Sequence, residues 1–194
     1  IGSKAHALIE WEIRAMLGQK NGEKPEVPEP SFRAFQAWKT WAESVKFEPL
    51  EAEQQVYSFK YGFAGTMDLY ARIDGKLTVL DWKTSKAIYP ESYLQNVAYR
   101  VAAEEMGKPS EQGIVIRLPK TENDPGFEAV PVPPETTLDE FLAALTLWKF
   151  QERYPWNKKP AVRTKVTTPY DTTPLSKELA GFLDEVHEQT KEIK

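Results

Sequence analysis

The sequence has 194 residues, no cysteine, a net charge of −4 and 41% hydrophobic residues. This composition suits one folded domain and excludes a disordered chain, disulfide bonds, iron–sulfur clusters and thiolate zinc sites. No apolar run approaches the roughly 18 residues of a membrane span, and the charge is not that of a globally basic nucleic-acid binder. Any metal would be held by carboxylates, histidine and backbone oxygen, which suit hard cations such as magnesium and manganese.

Two helices are predicted near the N-terminus. Apolar residues recur at helical spacing over 3–18, with Ser3 as the N-cap, and 18–30 is a turn-rich connector. Ser31 is the expected N-cap of a second helix that ends at about Val45. Large aromatic side chains of this helix and of a later one are expected in the core: Trp38, Trp41, Trp148 and Phe150.

A strand-rich block follows, with strands predicted at 53–60, 63–73 and 77–83. Asp74-Gly75 between the last two is typical of a tight hairpin turn. Further elements are predicted as a helix at 90–106, strands at 113–118 and 126–132, and helices at 136–153 and 175–192. This order indicates an α/β fold with a mixed β-sheet flanked by α-helices. We expect a single domain over 1–194, with a helical and basic C-terminal region from about 136.

Charged residues interrupt the end of the third predicted strand. Alternation places Asp81 and Lys83 on one face, and pairing across the hairpin turn places Asp68 opposite Asp81. Two neighbouring carboxylates repel each other, and a divalent cation relieves that repulsion. Gly65 would permit close approach of backbone or of a ligand. The alternatives are an exposed ion pair at a strand end and a charge that keeps an edge strand soluble.

The helix predicted from Pro90 carries Gln95 and Tyr99 four residues apart, so both lie on one face. They could face the strand ends or serve as ordinary packing residues. His6 lies on an apolar helix, where a satisfied, partly buried histidine is the common alternative to a metal ligand. Glu10, four residues later, could hold the His6 ring or be solvated.

Taken together, these residues form an ordered set of motifs. The set comprises Gly2-Ser3-Lys4-Ala5-His6, Gly65-Thr66-Met67-Asp68, Asp81-Trp82-Lys83 and Gln95-x-x-x-Tyr99. It resembles the PD-(D/E)xK nuclease superfamily, above all its RecB-like exonuclease branch, which includes the mitochondrial genome maintenance exonuclease and phage nucleases. The resemblance covers residues 2–106. Met67 stands where the superfamily name has Pro, and the lack of cysteine argues against the cluster-bearing relatives.

The resemblance implies a restriction-endonuclease-like core and a Mg²⁺- or Mn²⁺-dependent nuclease. It implies that Lys83 orients the attacking water and stabilises the phosphate, and that Gln95 and Tyr99 position these groups. Glu51 is the alternative to Glu53 as the acidic residue on the preceding strand. The implied metal ligands are His6, Glu53, Asp68, Asp81 and the Trp82 carbonyl.

The expected substrate is DNA, either single-stranded or at its ends, in repair, recombination or phage DNA processing. Tyr154 and Trp156 could stack on unpaired bases. Basic residues expected to contact phosphates are Lys86, Arg100, Lys158, Lys159, Arg163 and Lys165, although a solvated loop is the alternative for the last four.

The other functions compatible with these motifs are a non-catalytic DNA-binding module and a phosphohydrolase of small substrates. A helicase or recombination protein is a conceivable partner, since such nucleases also occur as one domain of larger proteins. We expect a cytoplasmic protein encoded by a bacterium or a phage, with an organelle as the alternative location, and no membrane partner.

Overall fold

The computed structural model describes residues 2–19 and 22–154. The predicted terminal helix at 175–192 lies outside the described residues. The chain divides into two compact units, Ile1–Phe150 and Gln151–Lys194, and the interpretation as a single domain stays a prediction. The described elements are α1 (Gly2–Met16), α2 (Glu29–Glu43), β1 (Phe47–Ser58), β2 (Phe63–Ile73), β3 (Lys76–Thr84), α3 (Pro90–Glu105), β4 (Gln112–Leu118), β5 (Glu128–Pro131) and α4 (Leu138–Arg153).

One mixed sheet carries the strands in the order β1-β2-β3-β4-β5. Neighbouring strands are antiparallel except β3 and β4, which run parallel and are connected through α3. Asp74 and Gly75 form the turn between β2 and β3 with φ values of +50° and +85°, which confirms the predicted tight hairpin. The predicted α/β fold with a helix-flanked mixed sheet is also confirmed.

Alternation along the strands divides the core between the two faces of the sheet. Leu80 and Trp82 of β3 face α1 and α2 and pack with buried Trp38. Val79, also on β3, faces α3 and packs with Ala102. Each large side chain buried in this way contributes about 1.5–3 kcal/mol of hydrophobic stabilisation. The sheet is therefore held between two helical layers, and the carboxyl end of β3 emerges between α1 and α3.

The fourth helix does not join this core. Trp148 and Phe150 are 55% and 53% exposed, so the expectation that they are buried was wrong, whereas Trp38 and Trp41 are buried as predicted. The reason is that α4 has no buried residue along its length and meets the sheet through contacts such as that of Phe141 with Phe63.

Local backbone features account for the remaining differences from the predicted elements. Ser3 lies inside α1, and Ser31 is buried inside α2, which begins at Glu29 because Pro at the first turn favours a helix start there. The first strand begins at Phe47 rather than 53, because a β-bulge after Pro49 breaks the alternation that marks a strand. None of the helices in the described ranges has the length and apolarity needed to cross a membrane.

Candidate active site

Asp68 lies where strands β2 and β3 separate. Their regular pairing ends at Leu69 and Leu80. One residue further along, the Trp82 backbone N–H donates to Asp68 Oδ2 at 2.8 Å, so this carboxylate replaces a backbone acceptor. Extending the register by one position places Asp68 opposite Asp81, as predicted from the hairpin. Two acidic side chains, 8% and 2% exposed, thus lie on neighbouring strands.

His6 and Glu53 bring two further ligand-type groups to Asp68. Ligand atoms of these three residues all lie within 4.8 Å of one another, and His6 Nδ1 is 3.5 Å from Asp68 Oδ1. The His6 ring is held edge-on to the Trp82 ring, with centroids 6.2 Å apart. Glu53 has φ +48°, a left-handed conformation that is rare for a residue with a side chain. We refer to His6, Glu53, Asp68 and Asp81 as the acidic cluster.

The competing assignments near the acidic cluster have other partners. Glu51, the alternative to Glu53, pairs with Lys108 beyond the end of α3. Glu10 pairs with Arg14 at 2.7 Å on α1 and does not hold the His6 ring by any hydrogen bond in the described part of the chain. Glu53 is therefore the acidic residue of β1 that lies next to His6 and Asp68.

The electrostatics of the acidic cluster favour retention of protons. Burial, followed by the negative charges of Asp68 and Glu10, raises the pKa of Glu53 to about 7. Burial and the charge of Asp68 raise the pKa of Asp81 to about 6, although Lys83 opposes the shift. Burial lowers the pKa of His6, but its hydrogen bond to Asp68 and the surrounding carboxylates outweigh this effect, and the net shift is upward. Burial is the largest cause for both carboxyl groups, and repulsion from neighbouring carboxylates adds to it.

Lys83 connects Asp81 to α3. Its Nζ donates to Asp81 Oδ1 at 2.8 Å and to Gln95 Oε1 at 2.6 Å, and Gln95 Nε2 donates to the Tyr99 hydroxyl at 2.9 Å. The structure therefore brings together Asp81, Lys83, Gln95 and Tyr99 in one hydrogen-bonded chain. This chain fixes the position of the Lys83 ammonium group beside the acidic cluster, because both of its polar partners are held on the sheet or on α3.

Gly65 permits this chain to form. A Cβ atom at this position would lie 2.4 Å from Tyr99 Cε1, which is closer than side chains tolerate. The group that approaches Gly65 closely is thus the Tyr99 side chain, rather than the backbone or ligand predicted from the sequence. Burial, then the charges of Asp81 and Asp68, raises the pKa of Tyr99 to about 12, so its hydroxyl stays protonated.

The donor set fits a divalent cation. Oxygen ligands surround such ions at roughly 2.0–2.6 Å, so ligand atoms on opposite sides are about 4–5 Å apart. The separations among the ligand atoms of His6, Glu53 and Asp68 are of this size. Asp81 Oδ2 is buried and lies 2.7 Å from Lys83 Nζ, yet it has no well-directed hydrogen bond from the described residues. Carboxylate and imidazole ligands of this kind suit hard divalent metals. The Trp82 carbonyl as a further ligand stays a prediction.

A cavity of about 340 Å³ opens beside Lys83 and His6. It lies at the carboxyl end of β3 and the start of α3, and it gives a substrate group access to the acidic cluster. The sequence analysis did not identify the hydroxyl-bearing and aromatic residues that line this cavity. The signal that could have identified them is their position directly after the end of a strand and at the start of a helix. The lining residues are His6, Trp82, Lys83, Thr84, Ser85, Tyr89, Glu91 and Ser92.

The residues predicted to contact nucleic acid are only partly described. Lys86 is exposed in the segment between β3 and α3. Arg100 is half-buried and donates to Ser110 Oγ at 3.1 Å, on a different cavity from that at Lys83, so the structure does not bring it to the site. Tyr154 is 61% exposed. The others lie outside the described residues, namely Trp156, Lys158, Lys159, Arg163 and Lys165.

Comparison with known proteins identifies a family for this chain. The family model of the PD-(D/E)XK nuclease superfamily matches residues 3–192. A candidate exonuclease from Eubacterium rectale has a similar structure, with a TM-score of 0.46, 15% identity, and coverage of 79% of this chain and 64% of that one. The protein SSO0001 is similar with a TM-score of 0.37, 13% identity, and coverage of 73% and 84%. No curated protein matches the chain.

Proposed function

The chain belongs to the PD-(D/E)XK nuclease superfamily, and on this basis we propose that it hydrolyses phosphodiester bonds in DNA with Mg²⁺ or Mn²⁺. The observation that carries the proposal is the meeting of Asp68, Asp81 and Lys83 at the point where β2 and β3 separate. A metal-dependent nuclease needs acidic side chains that hold the metal and a positively charged side chain that faces the phosphate. Asp68 and Asp81 are such acidic side chains, and Lys83 is the positively charged one.

The residues of the acidic cluster would hold the metal. His6, Glu53 and Asp68 have ligand atoms close enough to share one ion, and Asp81 contributes a buried oxygen without a well-directed hydrogen bond within the described ranges. When bound, a divalent metal would supply Lewis-acid chemistry, which polarises the phosphate and lowers the pKa of water. The left-handed backbone of Glu53 contributes by directing its carboxylate toward His6.

Lys83 would orient the attacking water and stabilise the negative charge that develops on the phosphate. Its ammonium group is fixed by Asp81 and Gln95 before any substrate binds. Fixed charges of this kind stabilise a transition state without reorganising during the reaction. Gln95 acts as a positioning residue, because its amide oxygen accepts a hydrogen bond from Lys83 and its amide nitrogen donates one to the Tyr99 hydroxyl.

We propose further that cleavage starts at DNA ends and favours single strands. Support comes from the order of the motifs at His6, Asp68, Asp81 and Gln95, which matches the RecB-like exonuclease branch. Action in DNA repair, recombination or phage DNA processing, in the cytoplasm and beside a helicase, is part of the same proposal.

The test is incubation of end-labelled linear single-stranded and double-stranded DNA with Mg²⁺ or Mn²⁺. We expect degradation that EDTA abolishes, and a circular single strand that survives while its linear form disappears. Asp81→Ala should lose cleavage yet remain folded, whereas Asp139→Asn, which changes an exposed carboxylate on α4, should cleave like the wild type.

Two outcomes would contradict the proposal. Equal cleavage by Asp81→Ala and wild type would refute the assigned site. DNA binding by the wild type without cleavage in any divalent metal would instead support a non-catalytic DNA-binding module on the same fold.

A further inference from the structure

The turn between β1 and β2 exposes aromatic side chains. Phe59 is 86% exposed and Tyr57 is 43% exposed, and their ring centroids lie 4.7 Å apart at an interplanar angle of 63°. Beside them, Lys60 Nζ lies 4.8 Å from the centroid of the Tyr61 ring. We call Tyr57, Phe59, Lys60 and Tyr61 the aromatic tip. Grouped exposed rings of this kind mark an interaction surface more often than isolated ones do.

The aromatic tip is held in place by α3. Ser58 Oγ donates to Glu105 Oε1 at 2.6 Å, and the Tyr61 backbone N–H donates to Ser58 Oγ at 3.1 Å. The turn closes when the Gly62 N–H donates to the Ser58 carbonyl at 2.9 Å, with Gly62 at φ +69°. The exposed rings are thus presented on a fixed backbone, and a preorganised surface loses less entropy when it binds a ligand.

The aromatic tip lies on the same face of the sheet as Glu53 and His6 of the acidic cluster. Val56 and Ser58 face α3, so alternation directs Gln55 and Tyr57 to the opposite face. Glu53 also lies on that face, since its carboxylate meets His6 of α1. The cross-strand partners of Gln55 and Tyr57 are Thr66 and Ala64, and all four residues are exposed. Among the described residues, an exposed strip therefore runs from Glu53 to the aromatic tip.

We propose that the aromatic tip stacks on unpaired bases of the same nucleic-acid strand whose phosphate lies at the acidic cluster, an inference that rests on the proposed nuclease function. Aromatic rings bind single strands without sequence preference, because every base has a π-face. Bases in a duplex are already stacked on their neighbours and are not available to Tyr57 and Phe59. Lys60 adds a positive charge for the phosphates of the stacked nucleotides.

The spacing fits a short stretch of single strand. Tyr57 lies four positions after Glu53, which is about 13 Å along a strand at roughly 3.3 Å per residue. Stacked nucleotides rise about 3.4 Å each, so roughly four nucleotides would extend from the cleaved phosphate to the first ring. The polar, exposed Gln55 and Thr66 line this path, as expected for a surface that follows a sugar–phosphate backbone.

The test measures binding without cleavage, by fluorescence anisotropy in EDTA at low salt. The probes are labelled dT12, an abasic strand with the same number of phosphates, and a blunt duplex of the same length. We expect the double variant Tyr57→Ala/Phe59→Ala to bind dT12 at least about tenfold more weakly, which corresponds to about 1.4 kcal/mol. Its affinity for the abasic strand and the duplex should change by less than about twofold, because neither offers an unpaired base.

Three measurements isolate stacking from other effects. Phe59→Trp should bind dT12 at least as tightly as the wild type, since the larger ring still stacks. Phe32→Ala removes a ring that is 40% exposed on α2 and should leave dT12 binding within about twofold. Circular dichroism should show the same fold for the double variant and the wild type, because Phe59 is 86% exposed and Tyr57 is 43% exposed, and neither belongs to the buried core.

The inference is overturned if the wild type does not bind dT12, if the double variant binds it normally, or if it loses affinity for the abasic strand equally. Normal dT12 binding with an altered oligomeric state in size-exclusion chromatography would identify the aromatic tip as a protein interface instead. Cleavage is measured separately. If the wild type cleaves DNA and the aromatic-tip variants bind dT12 normally, only this inference is refuted. If the double variant binds dT12 more weakly but the wild type cleaves no DNA in any metal, only the proposed function is refuted.

Discussion

Two buried charges on neighbouring parallel strands have opposite surroundings. Asp81 on β3 and Arg117 on β4 are each 2% exposed. Arg117 donates to Glu128 Oε2 at 3.2 Å, to the Gly126 carbonyl at 2.9 Å and to the Pro125 carbonyl at 3.3 Å. Asp81 has Lys83 as its cationic partner, retains an oxygen without a well-directed hydrogen bond from any described residue, and has a raised pKa.

The difference between them separates a structural charge from a functional one. A buried charge is costly unless its hydrogen bonds are made within the fold. Arg117 meets that condition and holds the loop after β4 against β5. Asp81 does not, and this unfavourable state is understandable if a ligand completes its environment. Variants of the two residues should therefore affect different properties, and activity and stability can be measured separately.

The largest expected effect is on catalysis in Asp81→Asn. Cleavage in saturating Mg²⁺ or Mn²⁺ should fall by at least about 10²–10³-fold, comparable to the loss of one fixed group that stabilises a transition state. The free energy of unfolding in EDTA should stay the same or rise, because the repulsion between Asp81 and Asp68 is removed. Single-turnover kinetics and urea denaturation measure the two quantities. Preserved cleavage with a destabilised fold would mean that Asp81 is a structural charge like Arg117.

Arg117→Met should have the opposite effects, a lower free energy of unfolding and an unchanged rate of cleavage. Two backbone carbonyls lose their donor, so we expect a loss of about 2–3 kcal/mol in the free energy of unfolding. Glu128 contributes little to this cost, because its side chain is 53% exposed and can be hydrated. The rate of cleavage per folded molecule, measured well below the melting temperature, should stay within about twofold of the wild type. Lost cleavage in a stably folded Arg117→Met protein would remove the distinction drawn between the two charges.

Much of the architecture was predictable because its signals are local. Alternation in β2 and β3 and the Asp74-Gly75 turn determine the hairpin, and Pro90 marks the start of α3. The start of β1 was not predictable, since the bulge after Pro49 interrupts the alternating pattern. Nor was the exposure of Trp148, because an apolar helix sequence does not reveal whether a partner surface lies beside it.

The candidate site was predictable to the extent that strand register is. Asp68 and Asp81 follow from pairing across one short turn, and Lys83 follows from alternation. The satisfied environment of Arg117 could not be predicted, because its acceptors are backbone carbonyls of a later loop. The exposure of Phe59 was not predictable either, because the strand predicted over 53–60 includes this residue. In the structure β1 ends at Ser58, and Phe59 lies in the turn.

Gly65→Ala tests the surroundings of Asp81 without altering those of Arg117, because it disturbs the hydrogen-bonded chain that leads from Tyr99 to Asp81. The added Cβ would overlap the Tyr99 ring, which must shift and weaken its hydrogen bond with Gln95. Lys83 then loses part of its support, and we expect cleavage to fall by about tenfold, equivalent to about 1.4 kcal/mol in the activation barrier. The control is the double-mutant cycle with Tyr99→Leu, in which Gly65→Ala should have little additional effect. An additive loss would show that Gly65 acts independently of Tyr99.

The smallest effect is the pH dependence of stability without metal. The pKa values of Glu53 and Asp81, about 7 and about 6 when folded, exceed their ordinary values of 4.5 and 3.8. Protonated carboxyls are thus favoured in the folded state, so this stability is complete below about pH 4 and is lost as pH rises toward 7. In EDTA, these groups should make the melting temperature a few degrees lower at pH 8 than at pH 5.

A divalent metal reverses that trend, because it binds the deprotonated carboxylates of the folded protein. Millimolar Mg²⁺ or Mn²⁺ should therefore raise the melting temperature more at pH 8 than at pH 5, as measured by calorimetry. Glu53→Gln removes one titrating group, so it should reduce both the pH slope and the metal effect, whereas Glu48→Gln, at an exposed residue of β1, should change neither. A metal-free Glu53→Gln protein with the wild-type slope would show that Glu53 retains no proton in the folded state, and the acidic cluster would then differ less from the hydrogen-bonded Arg117 in its need for a ligand.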